Sequence, residues 1–232
     1  MAFEPTHTHM QTTSPVFIPY SGLEFSEEVT RSRAEAYLEY MQLRRSVREF
    51  SNRPVSDQLI ATLLQTAATA PSGANRQPYT FCAVSSPKIK KKIREAAEKE
   101  EFINYHGRMD EQWINDIKPL GTDWHKPYLE KAPWLIVIFR KSYEFEQDGK
   151  HQNYYVHESV GIAAGILISA IHQAGLVTLT HTPSPMQFLQ RILKRPENER
   201  PFLLLPVGYA APAAQVPNLS KKSPEEYLIW YE

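Results

Sequence analysis

The stretch Ser159 to Ala174, SVGIAAGILISAIHQA, has helical spacing and is apolar nearly all the way round. A helix without a polar face must be enclosed, either in the centre of a domain or against a second subunit. Gly175 closes it, as a left-handed cap would. Trp134 to Arg140, WLIVIFR, constrains the fold almost as strongly. It is a continuous apolar run bounded by Pro133, which reads as a strand buried on both faces.

Around these two elements the remaining signals are shorter. Ser26 with Glu27 and Glu28 opens a helix carrying Val29, Arg33, Ala36, Tyr37, Tyr40 and Met41 at helical spacing. Ser56 opens a second, with Leu59, Ile60, Leu63, Leu64 and Ala67, ended by Pro71. Tyr79 to Ser85 reads as a strand. Ser86-Pro87 then places proline at the first position of a long polar helix. Leu176 to Thr182 alternates, putting Thr178, Thr180 and Thr182 on one face, and PFLLLPVGYA supplies another buried strand. The chain ends in EEYLIWYE, an apolar tip that needs a cover. Strands and helices mix without strict alternation, so the expected class is α+β.

With 232 residues the chain is expected to form one domain, residues 25–232, behind a loosely held Pro- and Thr-rich arm, residues 1–24. Lys+Arg 26 balances Asp+Glu 26, which removes the electrostatic footprint of a nucleic-acid binder. The lone Cys82 permits no internal disulfide and no multi-cysteine zinc site. It lies in an apolar run, where an inert thiol is the default and a nucleophile is not expected. His7 and His9 lack acidic or cysteine partners, so no metal is expected. The N-terminus lacks the pattern of a signal peptide, and Val160 to Ile171 is too short to span a bilayer. A soluble, cytoplasmic protein is expected.

Chemistry concentrates in three places. LRRSVREFS puts Arg44, Arg45, Ser46 and Arg48 together, either a solvated basic turn or a grip for phosphate oxygens. Pro71-Ser72-Gly73 joins a helix to a strand through small residues, which lets backbone amides approach a flat or anionic ligand. In the segment Glu100 to Leu129, Glu101 and Tyr105 share a helical face, and Lys126 follows a break at Pro119 and Gly121 where the chain can fold back. A carboxylate, a phenol and an ammonium brought together suit a zwitterionic amino acid, with both of its charges paired. Spacing alone equally allows, and by itself favours, a surface helix with solvated charges.

The order RRSVR, PSG, GLVTLTHTP and LLLPVGY resembles the nitroreductase-like flavoprotein superfamily, from about Leu43 to Lys222. Within it, E-x-I-N-Y-x-x-R-M, then W, then T-x-W-x-K-x-Y-L-x-x-A-P looks like the active-site lid of the iodotyrosine deiodinase family. YY, AGLVT, TP and VPNL continue the agreement. The resemblance implies a nitroreductase-like fold: a central mixed sheet flanked by helices, in an intertwined homodimer whose C-terminal extension embraces the partner. It implies FMN as cofactor and reductive dehalogenation of halotyrosines, 3-iodotyrosine among them, to tyrosine and halide. Arg44, Arg45, Ser46, Arg48, Pro71, Ser72, Gly73, Thr180, His181, Thr182 and Lys221 would hold the flavin. Ala74, Glu101, Tyr105 and Lys126 would hold the substrate under a lid of about residues 98–130. Thr182 would sit near flavin N5 and favour one-electron chemistry.

Some positions depart from the family. Lys221 stands where an arginine is usual, and lysine pairs with phosphate as a point charge without the fork. Asn75 and Arg76 also differ, and Arg76 reads as a surface residue. Animal members carry an N-terminal membrane anchor, and none is expected here. No glycine-rich dinucleotide fingerprint names the reductant, NAD(P)H or a reductase. A general FMN-dependent nitro- or quinone reductase and a flavin- or amino-acid-binding protein without turnover are the rival readings.

Overall fold

The computed structural model describes residues 15–232, so His7 and His9 and most of the expected arm lie outside the described residues. The chain forms two compact units, one ending at Glu39 and one running from Tyr40 to Glu232. In the first, extended chain leads to Ser26, whose hydroxyl accepts from Val29 N at 3.4 Å at the start of helix α1 (Glu27–Gln42). The Arg33 guanidinium lies 4.6 Å from the centroid of the Phe25 ring.

The second unit is built on a four-stranded sheet in the order β1 (Tyr79–Val84), β2 (Trp134–Lys141), β6 (Glu199–Gly208) and β5 (Val177–Thr178). Its ladders are antiparallel, and the parallel component of this mixed sheet is a bridge between Ser46 and Thr178. β3 (Tyr143–Glu146) and β4 (Gly149–Gln152) form a separate hairpin. The continuous apolar run of β2 follows from its central place. Trp134, Ile136 and Ile138 face one core with α2 (Asp57–Ala67) and α6 (Val156–Gln173). Leu135, Val137 and Phe139 face the other, with α3 (Pro87–Ile103), α5 (Tyr128–Lys131) and α7 (Gln187–Ile192). Alternation survives in such a strand as a choice between two cores rather than between core and water.

Helix boundaries follow local chemistry. The Ser56 hydroxyl accepts from Leu59 N at 3.2 Å and starts α2. Pro87 occupies the first turn of α3, but Ser86 caps it only by position, since its side chain makes no cap bond. Gly175, at φ 71°, ends the α6 region in left-handed backbone. α6 buries Ser159, Val160, Ala163, Ala164, Leu167 and Ile171 within the chain, yet Gly161, Ile162 and Gly165 remain exposed. The apolar C-terminal tip is also uncovered, with Trp230 79% exposed. Among the described residues no helix is long and apolar enough to cross a membrane.

Candidate functional site

The buried face of α3 reads Lys90, Ile93, Ala97 and Glu101, a spacing of three and four residues. Glu101 is therefore carried inward on the same stripe that packs the helix. Past Ile103 the helix widens into a π turn, Asn104–Arg108. Asn104 is buried and donates to Ser184 O at 2.8 Å, while the Tyr105 hydroxyl donates to Thr122 O at 3.2 Å. After α4 (Glu111–Ile117), Gly121 adopts left-handed backbone, φ 58°, and the chain turns back. Lys126 then lies with Nζ 4.0 Å from Glu101 Oε2 and 5.6 Å from the centroid of the Tyr105 ring. The structure thus brings Glu101, Tyr105 and Lys126 together.

Both charges of this pair are almost fully enclosed, Lys126 being 3% and Glu101 7% exposed. Burial raises the Glu101 carboxyl above the usual carboxylate range, against the pull of Lys126. Burial lowers the Lys126 ammonium, against the pull of Glu101 and Asp123. Lys126 Nζ also donates to Thr122 Oγ1 at 3.1 Å and to the Asp123 carbonyl, and its backbone N–H donates to Glu98 Oε1 at 2.8 Å. An ion pair this dry holds only when its remaining hydrogen-bonding capacity is used. The same constellation can divide around a zwitterion, the carboxylate taking an ammonium and the ammonium a carboxylate.

Arg48, Tyr128 and His181 adjoin the trio. The charge of Arg48 acts on Tyr105, Lys126, Tyr128 and His181, and its buried Nε has no hydrogen-bond partner in the protein. The Tyr128 hydroxyl and His181 Nδ1 are 3.4 Å apart. Desolvation pushes the Tyr128 phenol up and the His181 imidazole down to about 3, so His181 is neutral. His181 lies opposite Leu204 in the register that pairs Val177 with Gly208, so its main chain belongs to the sheet. Thr178 and His181 are buried, while Thr180 and Thr182, beyond the end of the strand, are exposed.

The Pro71–Ala74 loop forms a second group. The Ser72 hydroxyl accepts from Gln77 N at 2.9 Å, and Gly73 N donates to Ser159 Oγ at 3.3 Å. A Cβ on Gly73 would come within 2.8 Å of Tyr155 Cδ2 and 2.9 Å of Tyr154 O, so only glycine allows this approach. Pro71 and Ala74 are exposed. Among the described residues, no hydrogen bond or ion pair joins this loop to Glu101, Tyr105 or Lys126.

The arginines do not form one fork. Arg44 and Arg45 line a cavity of about 180 Å³ with Thr178 and His172, and Arg45 donates to the Pro217 carbonyl. Arg48 lines a different cleft, with Tyr128 and Lys131. Ser46, exposed between them, is fixed by its bridge to Thr178. Lys221 lies on the exposed C-terminal stretch. Cys82 is half-buried and burial pushes its thiol up, away from thiolate chemistry. Glu146, Asp148 and His151 bring ligand atoms within 4.8 Å of one another on the exposed hairpin, where Glu146 pairs with Arg76 and Asp148 with His151.

Sequence reasoning passed over Tyr128, Asn104 and Thr122. Asn104 stood in the lid pattern and carried a signal. Thr122 and Tyr128 stood in it too, in the T-x-W-x-K-x-Y stretch, but their contacts form only when the chain folds back, so spacing alone gave them no role.

The buried, unpartnered Arg48 Nε and the exposed Thr180 and Thr182 hydroxyls fit a ligand rich in acceptors. The Nitroreductase family profile matches residues 41–209. A protein named iodotyrosine deiodinase from Haliscomenobacter hydrossis is 59% identical over 94% of this chain and 98% of its own length. One from Hydra vulgaris is 43% identical over 93% of this chain and 80% of its own. The crystal structure of an oxidized iodotyrosine deiodinase bound to FMN and 3-iodo-L-tyrosine superposes with a TM-score of 0.71 at 26% identity, covering 84% of this chain and 98% of that one.

Proposed function

The chain belongs to the nitroreductase family, and from that premise we propose that it is an FMN-dependent reductive dehalogenase converting halotyrosines to tyrosine and halide. The buried Glu101–Lys126 pair beside Tyr105 carries the substrate reading. A nitro- or quinone reductase needs no such pair, whereas an amino-acid substrate has two charges that must be matched on leaving water. Glu101 takes the α-ammonium, Lys126 the α-carboxylate, and the Tyr105 hydroxyl adds a hydrogen bond. Ala74 contacts the substrate from the second loop.

Removing halide and placing a proton on the carbon it leaves consumes two electrons and one proton. FMN, when bound, supplies the electrons, and NAD(P)H or a reductase replaces them. Arg44 and Arg45, at one cavity, and Lys221 offer cations for its phosphate, and Arg48, in its separate cleft, a contact for the ring edge, with Ser46, the Pro71–Gly73 loop and the main chain at His181 beside it. Charge-assisted hydrogen bonds of this kind contribute about 1.5–3 kcal/mol each. Thr180 and Thr182 are exposed beyond the end of β5, and Thr182 would donate toward the flavin. A lid spanning residues 98–130 excludes water over the substrate.

We further infer a homodimer. The uncovered Gly161, Ile162 and Gly165 stripe of α6 and the apolar C-terminal tip support it, since both leave apolar surface in water. A cytoplasmic location belongs to the same reading and rests on the lone cysteine.

The test is anaerobic turnover: dithionite-reduced protein is given 3-iodotyrosine, and tyrosine is quantified against free FMN. Tyrosine well above that control, with KM raised at least about ten-fold in Glu101→Gln and Lys126→Gln, is expected. FMN-bound protein producing no excess tyrosine would return the chain to the nitroreductase or binding-protein reading.

A further inference from the structure

Ala74, Asn75 and Gln77 have φ of 49°, 53° and 48°. Three non-glycine residues of four thus hold left-handed backbone, and Tyr155 beneath them adds a fourth at φ 47°. Such a turn persists only where its surroundings over-determine it.

Arg76, the one member of the turn with ordinary backbone, supplies the determination. Its Nε donates to Asn153 Oδ1 at 3.1 Å and its Nη2 to Glu146 Oε1 at 2.8 Å. Asn153 is buried and is itself held, donating from Nδ2 to Lys141 O at 2.9 Å and from its backbone to Ser142 O at 3.0 Å. A partly exposed ion pair contributes little by itself. Here the planar fork ties one loop to two different elements, which a point charge cannot do. Asn153 also leads into Tyr154 and Tyr155, against which Gly73 packs, and Ser159, which receives Gly73 N–H, lies one helical turn further on.

We propose that Arg76 is a positioning residue: by bridging Asn153 and Glu146 it locks the Ala74–Gln77 turn against the start of α6 and holds Ala74 where it contacts the halotyrosine. The substrate half of this proposal rests on the halotyrosine reading of the site; the locking half does not.

Two readouts on the FMN-loaded protein separate the halves. The first is hydrogen exchange at the Asn75, Arg76 and Gln77 amides, measured without substrate. Arg76→Ala is expected to speed it about ten-fold, with Asn153→Ala as a second route to the same loosening. The second is the KM against kcat split for 3-iodotyrosine. Arg76→Ala is expected to raise KM about ten-fold, with kcat and FMN retention within about two-fold of wild type. Arg76→Lys, able to reach one partner at a time, falls between the two.

Unchanged exchange in Arg76→Ala overturns the lock. Faster exchange with an unchanged KM overturns the positioning role and leaves Arg76 structural. Wild-type protein that holds FMN but dehalogenates nothing overturns the halotyrosine reading and the substrate half with it, while exchange still decides the lock.

Discussion

Glu101 and Lys126 are pushed in opposite directions by the same cause, burial, so each is drawn toward its neutral form. Zwitterion capture needs both charged. The pH window for substrate binding is therefore narrowed from both sides: its acid limb follows a carboxyl raised above the ordinary range and its basic limb an ammonium lowered below it. In a profile of 1/KM against pH, Glu101→Gln should remove the acid limb and Lys126→Gln the limb set by that ammonium; limbs unmoved by either substitution would take both residues out of the binding step. His181 makes a separate statement about stability. Its folded-state value of about 3 lies below the unfolded value near 6.5. The unfolded chain therefore binds the proton first, and stability is lost as pH falls from about 6.5 toward 3, at about 1.4 kcal/mol per pH unit. His181→Leu should flatten the melting temperature against pH between about pH 6 and 4 relative to wild type. Parallel curves for the two proteins would show that the imidazole is not kept neutral.

At the scale of elements, the lid and the loop were legible to different depths. The helical spacing of Glu101 and Tyr105 and the break before Lys126 suggested a chain that folds back, and the π turn and Gly121 make it do so. The spacing could not separate this from a solvated surface helix, because the difference lies in what covers the face. The loop was legible only as small residues between a helix and a strand. Arg76, read as a surface residue, spans 77 positions to reach Asn153 and 70 to reach Glu146, and no local pattern carries such a contact. In β2 the apolar run indicated burial on both faces, while the antiparallel partners on either side came from topology. Gly73 joins the loop to the Tyr154–Tyr155 segment by close approach rather than by bonding strength. A methyl group there meets Tyr155 Cδ2 at 2.8 Å, which a side chain can partly relieve, and Tyr154 O at 2.9 Å, which backbone cannot. Gly73→Ala should therefore cost about 1–3 kcal/mol in denaturant unfolding, with the loop rather than the sheet displaced. A cost below about 0.5 kcal/mol would mean that the Tyr154–Tyr155 segment moves freely.

For the molecule as a whole, the apolar α6 helix demanded enclosure, and the single chain supplies only part of it. Six of its residues are buried, including Leu167 and Ile171, while Gly161, Ile162 and Gly165 face outward. Ile162 is 45% exposed, and the two glycines beside it present no side chain to keep another backbone away. The C-terminal tip repeats the pattern, with Ile229 73% and Tyr231 92% exposed. Apolar burial returns about 25 cal/mol per Å², so both surfaces favour a second copy of the chain over water. A charge placed on the stripe opposes this directly, because a carboxylate buried there without a partner is costly. Ile162→Glu leaves the chain's own core untouched and should turn a dimer into a monomer in sedimentation velocity. If each flavin site draws on both chains, the monomer should also elute with its FMN lost. Deleting residues 223–232 should weaken the dimer without abolishing it, since the α6 stripe remains. Wild-type protein sedimenting as a monomer with FMN still bound would overturn the dimer, and a monomeric Ile162→Glu that keeps its FMN would place the whole flavin site within one chain.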